Sequence, residues 1–347
     1  MRQSLSEEGL EALLISQPEN RRYISGFTGS AGYLIISSTI NILAVDFRYT
    51  EQARVQAPDF TVIQTKGSIT DWLPPMISDL GLAKLCFEGA DISFTIYNQL
   101  VEQIKKHDKT FQFEHNDGLI ENLRAQKEPE EIDRLMRASA LSDEAFAYIA
   151  SEIHEGQTEK QVAWEMERYL REKGCEHLPF PIIVASGPNS ALPHASPSDR
   201  VIQSGEPIVI DFGARVEGYC SDCTRTICLN MTDSTFTKHY DLVLGAQLAA
   251  IATLAPGMSG EEADQLARIV IEEGQHGEAF GHGLGHGIGL VAHEKPRLSP
   301  KSHDMLKENM VFTVEPGIYH PGWGGIRIED MVILQEGKAK TLTRAKK

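Results

Sequence analysis

No stretch of this chain is apolar for long enough to cross a bilayer. The longest mostly apolar run, residues 242–255, covers 14 positions and is interrupted by Gln247, whereas a spanning helix needs about 20. The opening MRQSLSEEGLEALLIS has acids where an export signal carries basic residues, and it lacks a long apolar centre. No membrane partner is expected, and the chain reads as cytoplasmic. Positive charge is also scarce: 33 Lys and Arg face 49 Asp and Glu in 347 residues, a formal net charge of -16. Such a surface repels a phosphate backbone, which excludes nucleic acid as a partner. Cysteine is sparse and odd in number, at five. Cys220 and Cys223 have C-x-x-C spacing, but no second Cys or Cys/His pair completes a zinc set. They read as two small apolar residues on a strand.

What is present suits a globular α/β protein of about two domains: 41% of residues are apolar and 24% charged. Short apolar runs at 12–15, 33–36 and 42–45 predict buried strands, and the spacing over 93–106 predicts a helix. The polar cluster His115-Asn116-Asp117-Gly118 predicts a boundary between a domain over 1–118 and a second over 119–347. Pro129 followed by Glu130, Glu131 and Asp133 predicts the start of a long helix, and a second helix should run from 159 to 173 and stop at Gly174. Residues 207–212 and 219–229 should pair as a hairpin. Helices are expected over 236–254 and 261–272, and a strand, a Pro-Gly turn and a strand after Met310.

Three signals carry chemistry. Asp211 and Asp222 lie in the two arms of the predicted hairpin, where acids are costly to bury. Side by side they repel unless a cation sits between them; otherwise one faces solvent or pairs with Arg225. GHGLGHGIGLVAHE then places His282, His286 and His293 within 12 residues among glycines. Its Gly287-x-Gly289-x-x-Ala292 fails as a dinucleotide fingerprint because no strand is predicted ahead of it, and Pro296 breaks any zincin helix at His293-Glu294. Last, Glu315 precedes a Pro-Gly turn, and GIRIED places Ile326 and Ile328 on one strand face and Arg327 and Glu329 on the other. Four carboxylates plus imidazole, without thiolate, suit a pair of fairly hard divalent ions. A single ion would leave such a cluster strongly negative.

The stretches IVASGPNSALPHA, IVIDFGARVEGYCSDCTRT, FGHGLGHGIGLVAHEKPRLS, FTVEPGIY and GIRIEDMV resemble, in family order, the proline-specific metallopeptidases: Xaa-Pro aminopeptidase and Xaa-Pro dipeptidase, or prolidase. RRYISGFTGSAGYLIIS and AVDFRYTEQA resemble that family's creatinase-like N-terminal domain, which methionine aminopeptidase lacks. Cys223 stands where relatives often carry Met. The resemblance implies a pita-bread catalytic domain and two divalent ions, manganese by preference, with cobalt or zinc possible. It implies Asp211, Asp222, His286, Glu315 and Glu329 as ligands, with Asp222 and Glu329 bridging. A water shared by the ions would attack the carbonyl before proline, with Glu315 shuttling its proton and His194 and His293 facing substrate. His282 and Arg327 would hold His286 and Glu329 in place, and Arg297 would meet a substrate carboxylate or a surface acid. Partners would be short peptides with proline second, and a homodimer in which the N-terminal domain limits substrate length, with Arg48 or Tyr49 at an interface or pocket mouth. The alternative is a metal-free relative of the same fold: a peptide-binding module or a creatinase-like hydrolase.

Overall fold

Residues 1–230 and 234–347 are described in this computed structural model, and they divide into two units, Met1–Arg124 and Ala125–Lys347. No helix among the described residues is long and apolar enough to cross a membrane.

The first unit is built on one mixed six-stranded sheet. Its strands are β1 (Ala12–Ile15), β2 (Tyr33–Ser37), β3 (Asn41–Val45), β4 (Thr61–Gln64), β5 (Lys84–Phe87) and β6 (Gln112–His115), in the order β4-β3-β2-β1-β5-β6. The continuous apolar run of β1 follows from burial on both sides. Leu13 and Ile15 enter one core with Leu34 and Leu43, while Ala12 and Leu14 enter another with Ile35 and Leu85. Helices α1 (Arg2–Glu7) to α6 (Leu119–Ala125) complete the unit; α2 is Pro18–Ser25, α3 Thr50–Gln56, α4 Ile69–Asp79 and α5 Phe94–His107.

The second unit opens with α7 (Pro129–Glu152) and α8 (Glu159–Glu172). Pro129 occupies the first turn of α7, and Glu131 reaches back to the Glu128 N–H at 3.0 Å. Gly174 ends the α8 segment at φ +100°, a conformation that favours glycine. These helices share a core with a three-stranded sheet of β7 (Ile183–Ser186), β8 (Pro207–Phe212) and β11 (Cys223–Cys228), with β8 central. Two short strands, β9 (Arg215–Val216) and β10 (Tyr219–Cys220), form a ribbon. Helices α9 (Ser234–Thr253) and α10 (Gly260–Glu273) share a second core with a five-stranded sheet. That sheet holds β12 (Gly285–Gly287), β13 (Glu294–Leu298), β14 (Val311–Val314), β17 (Asp330–Gln335) and β18 (Lys338–Thr341), and β15 (Gly317–His320) pairs with β16 (Gly324–Arg327) beside it.

Three local expectations need correction. The 219–229 arm is two strands, not one: β10 turns to β9, and only β11 pairs with β8. The segment after Met310 holds five strands, because hairpin turns beyond the Pro-Gly turn join β15 to β16 and β17 to β18. In GIRIED the strand β16 stops at Arg327, and Ile326, Arg327, Ile328 and Glu329 are all buried, so neither face is polar in the sense that alternation predicts.

Candidate functional site

The acids reach one place from four strand ends. Ile208, Ile210 and Phe212 of β8 point into the core under α7 and α8, so alternation turns Asp211 to the opposite side of the strand. Asp222 sits in the gap between β10 and β11. That gap is fixed by Ser221, whose hydroxyl meets the Ala214 N–H at 2.9 Å and the Ser142 hydroxyl at 2.6 Å. Glu315 follows β14 and its N–H donates to the Leu284 carbonyl at 2.8 Å. Glu329 follows β16 and its N–H donates to the Thr224 carbonyl at 3.1 Å. His286 is the middle residue of β12, and its flanking glycines are packing requirements. A Cβ on Gly285 would lie 2.0 Å from the Thr313 carbonyl oxygen, and one on Gly287 would lie 1.9 Å from that of Lys295.

Single ligand atoms of Asp222, His286 and Glu329 lie within 4.8 Å of one another. His286 Nε2 is 3.2 Å from Glu315 Oε1 and 3.7 Å from Asp222 Oδ2. His286 Nδ1 faces the Gly287 carbonyl oxygen at 3.1 Å. That contact needs a proton on Nδ1; despite burial, the ring is held protonated beside the acids and donates from Nε2 to Glu315, and a cation placed there would take the Nε2 lone pair instead. Arg327 donates to Asp211 Oδ2 at 2.6 Å, and the Thr224 hydroxyl donates to Glu329 Oε2 at 2.6 Å. The second oxygens, Asp211 Oδ1 and Glu329 Oε1, are buried without a hydrogen-bond partner.

Burial, and then repulsion from the neighbouring acids, Glu329 and Asp211 for Asp222 and Glu315 and Asp211 for Glu329, push both carboxyls well above the usual carboxylate range. Asp211 is raised by burial, with the Arg327 charge opposing. Burial works the same way on Glu315, but the hydrogen bond and charge of His286, with His282 and Arg327, bring it down to about 2. Four acids, Asp222 and Glu329 buried and Asp211 and Glu315 partly buried, share one arginine and one histidine, and two of their oxygens have no donor. Divalent cations with a preference for oxygen fit that donor set.

A cavity of about 470 Å³ opens over these groups. His194, His293 and Arg297 line it, facing an apolar side that includes Phe180, Ile182 and Pro193. The His293 ring lies 4.1 Å from that of His286. Partial desolvation of this otherwise exposed residue, then the His286 charge, lower its pKa to about 4, which keeps it a neutral imidazole at neutral pH. Arg297 forms no ion pair among the described residues.

Other partners differ from expectation. His282 bonds the Tyr319 hydroxyl at 2.9 Å and the Gly283 carbonyl at 2.8 Å, not His286. Arg327 grips Asp211 and the Tyr319 hydroxyl, and meets Glu329 only through the Thr224 hydroxyl. Arg225 pairs with buried Asp330 at 2.7 Å, not with either hairpin acid. Cys220 and Cys223 are buried on separate strands and contact different carbonyls, of Leu290 and Glu329. Glu294 lies on a strand, in keeping with the rejection of a helix ahead of Pro296, and pairs with buried Lys127 at 2.7 Å.

Two residues escaped the sequence reading. Tyr319 links His282 to Arg327. Gln247, fully buried on α9, donates to the carbonyls of Val314 and Ile328, both at 3.1 Å, the residues just before Glu315 and Glu329. The only signal for it was a polar residue inside an apolar helical run.

The sequence signature of metallopeptidase family M24 matches residues 90–336, and that of the creatinase/prolidase N-terminal domain matches residues 1–126. The chain is 36% identical over 344 residues to a Xaa-Pro dipeptidase of Pyrococcus furiosus, covering 99% of this chain and 96% of that one. The structure superposes on a Xaa-Pro dipeptidase from Bacillus anthracis with a TM-score of 0.95 at 40% identity, covering 100% and 96% of the two chains. It also superposes on an X-Pro aminopeptidase from Thermotoga maritima with a TM-score of 0.88 at 38% identity, covering 99% and 97%.

Proposed function

The chain belongs to metallopeptidase family M24, and from that premise we propose that it is an exopeptidase that hydrolyses the Xaa-Pro bond of short peptides. The observation that carries this reading is the convergence of Asp211, Asp222, His286, Glu315 and Glu329 beneath one small cavity, with Asp211 Oδ1 and Glu329 Oε1 left without donors. These five would hold two divalent ions. Four of the five ligands offer oxygen, which favours manganese over cobalt or zinc. Bound there, the ions would supply Lewis acidity, lowering the pKa of a bound water toward about 7 and polarising the scissile carbonyl.

The chain's own residues do the rest. His286 offers Nε2 because Nδ1 is engaged by the Gly287 carbonyl. Arg327 fixes one oxygen of Asp211 and leaves the other for an ion. Glu315 accepts the proton of the attacking water and passes it to the proline nitrogen. His293, neutral at neutral pH, and His194 donate to the oxyanion that develops on the carbonyl. Phe180, Ile182 and Pro193 offer the proline ring an apolar wall. Arg297 meets the substrate carboxylate.

The N-terminal unit serves dimerisation and limits substrate length. The exposed apolar side chains of Phe47, next to Arg48 in sequence, and Val55, at 75% and 80% exposed, support the dimerisation role. Arg48 itself is held by Asp46 at 2.7 Å. No disulfide joins the five cysteines, all among the described residues, which suits a cytoplasmic setting.

The test is hydrolysis of an Xaa-Pro dipeptide and an Xaa-Pro-Yaa tripeptide with manganese supplied. Cleavage of at least one is expected, and the preferred one separates dipeptidase from aminopeptidase. No cleavage of either by manganese-loaded protein overturns the reading.

A further inference from the structure

Three histidines that the peptidase cavity does not use meet elsewhere in the second unit. His239 comes from α9, His276 from the turn after α10, and His320 from the end of β15. One ring nitrogen of each lies within 4.8 Å of the others. The ring centroids of His239 lie 4.8 Å from His276 and 5.0 Å from His320, and those of His276 and His320 are 5.0 Å apart. His320 Nε2 is buried and has no hydrogen-bond partner. Trp323 packs edge-on against His239, with centroids 4.6 Å apart. A second cavity of about 470 Å³ opens there, lined by His276, His320, Glu272 and Glu278 among others.

We propose that His239, His276 and His320 form a second metal site, for an ion that prefers imidazole, such as Zn2+, Cu2+ or Ni2+. Three imidazoles without a carboxylate among them favour these ions and offer little to Mn2+ or Mg2+. Metal–nitrogen bonds of about 2.0–2.1 Å place tetrahedral ligand nitrogens roughly 3.3 Å apart. Small side-chain rotations bring nitrogens already within 4.8 Å to that spacing. Three histidine ligands leave the fourth position to water or to a group entering from the cavity.

The ligands come from three elements distant in sequence, so the ion ties α9, the end of α10 and β15 together. It shares no ligand with the carboxylate cluster. It does sit next to Tyr319, whose hydroxyl meets His282 and Arg327, and on the helix that carries Gln247. The site is therefore a clamp on elements that shape the peptidase cavity.

The test compares the manganese-loaded protein with its H239A/H276A variant. On titration with Zn2+, the unmodified protein should take up one equivalent more than the variant and show a higher melting temperature in zinc. Cu2+ should quench Trp323 fluorescence in the unmodified protein only. The single variant H276Q, which leaves the His239, His320 and Trp323 packing in place, should weaken zinc binding at least tenfold. It carries the test if the double variant does not fold. Equal zinc uptake and equal quenching in the unmodified protein and H276Q would mean that the three rings serve packing alone, and would overturn the site.

Discussion

Glu88 in the first unit and Glu329 in the second are both buried acids, 6% and 1% exposed, and they are treated in opposite ways. Glu88 accepts from the backbone N–H groups of Ser16 and Gln17, both at 2.7 Å, from the Ser16 hydroxyl, and from Asn20 at 2.6 Å, so both oxygens are covered. Glu329 has one oxygen on Thr224 and the other on nothing, and its neighbours are further acids. An acid with both oxygens bonded is a brace: burial still raises the Glu88 carboxyl, but its hydrogen bonds to Gln17, Asn20 and Ser16 oppose that cost. A cluster with lone pairs left over is unstable by itself and is completed by a cation. Burial alone does not separate the two; the count of missing donors does.

The comparison breaks most sharply at Asp222. Asp222→Asn keeps the volume and removes a ligand charge, so peptide hydrolysis should fall to background and at least one metal equivalent should be lost while the fold is kept. Glu88→Gln should do the reverse: lower stability by about 1–3 kcal/mol with metal content and turnover per folded molecule unchanged. Metal analysis of both variants checks the pair, and a metal loss in Glu88→Gln would erase the distinction. His293→Ala should retain both ions and lower turnover by about 10²-fold, as expected for loss of an oxyanion donor. If its metal content instead falls as far as that of His286→Ala, His293 is a ligand.

Gln247→Leu leaves the Val314 and Ile328 carbonyls without their donor and loosens Glu315 and Glu329 together. A loss of roughly 10- to 100-fold in metal affinity is expected, by analogy with other residues that orient ligands. Equilibrium dialysis measures it, and unchanged affinity would confine Gln247 to packing. The smallest effect is on stability against pH. Asp222 and Glu329 are raised by burial and by their acidic neighbours, so the chelated folded chain binds more protons than the unfolded one. That stabilisation is complete below the ordinary carboxylate range, around pH 4, and is lost as pH rises through the raised values. The gap in melting temperature between loaded and chelated protein should therefore widen with rising pH. A constant gap in calorimetric scans would show that these two acids titrate normally.

Much of the architecture was legible in the chain because the signals are local. The apolar runs of β1 to β3, the Pro129 helix start and the Gly174 stop each depend on residues within a turn or two of one another. The acids in apolar strands and the glycine-flanked histidines stood out because both are unfavourable unless something compensates them. The breaks at Ser221–Asp222 and after Arg327 were not legible, since alternation describes a strand's faces and not where its partner leaves it.

Partner choice was decided only by the tertiary structure. Arg327 lies between Ile326 and Ile328 in sequence, yet its guanidinium reaches Asp211, 116 residues earlier, and Tyr319. Gln247 reads as a flaw in an apolar helix until α9 is laid where Val314 and Ile328 present their carbonyls. His239, His276 and His320 carry no spacing that marks them as a group, and they meet only because α9, α10 and β15 converge. The sequence determined which groups are costly to bury, since that cost belongs to the residue and its immediate pattern. The fold decided which of those costs are met by donors and which are left for an ion, because hydrogen bonds and coordination act over a few ångströms between residues the chain holds far apart.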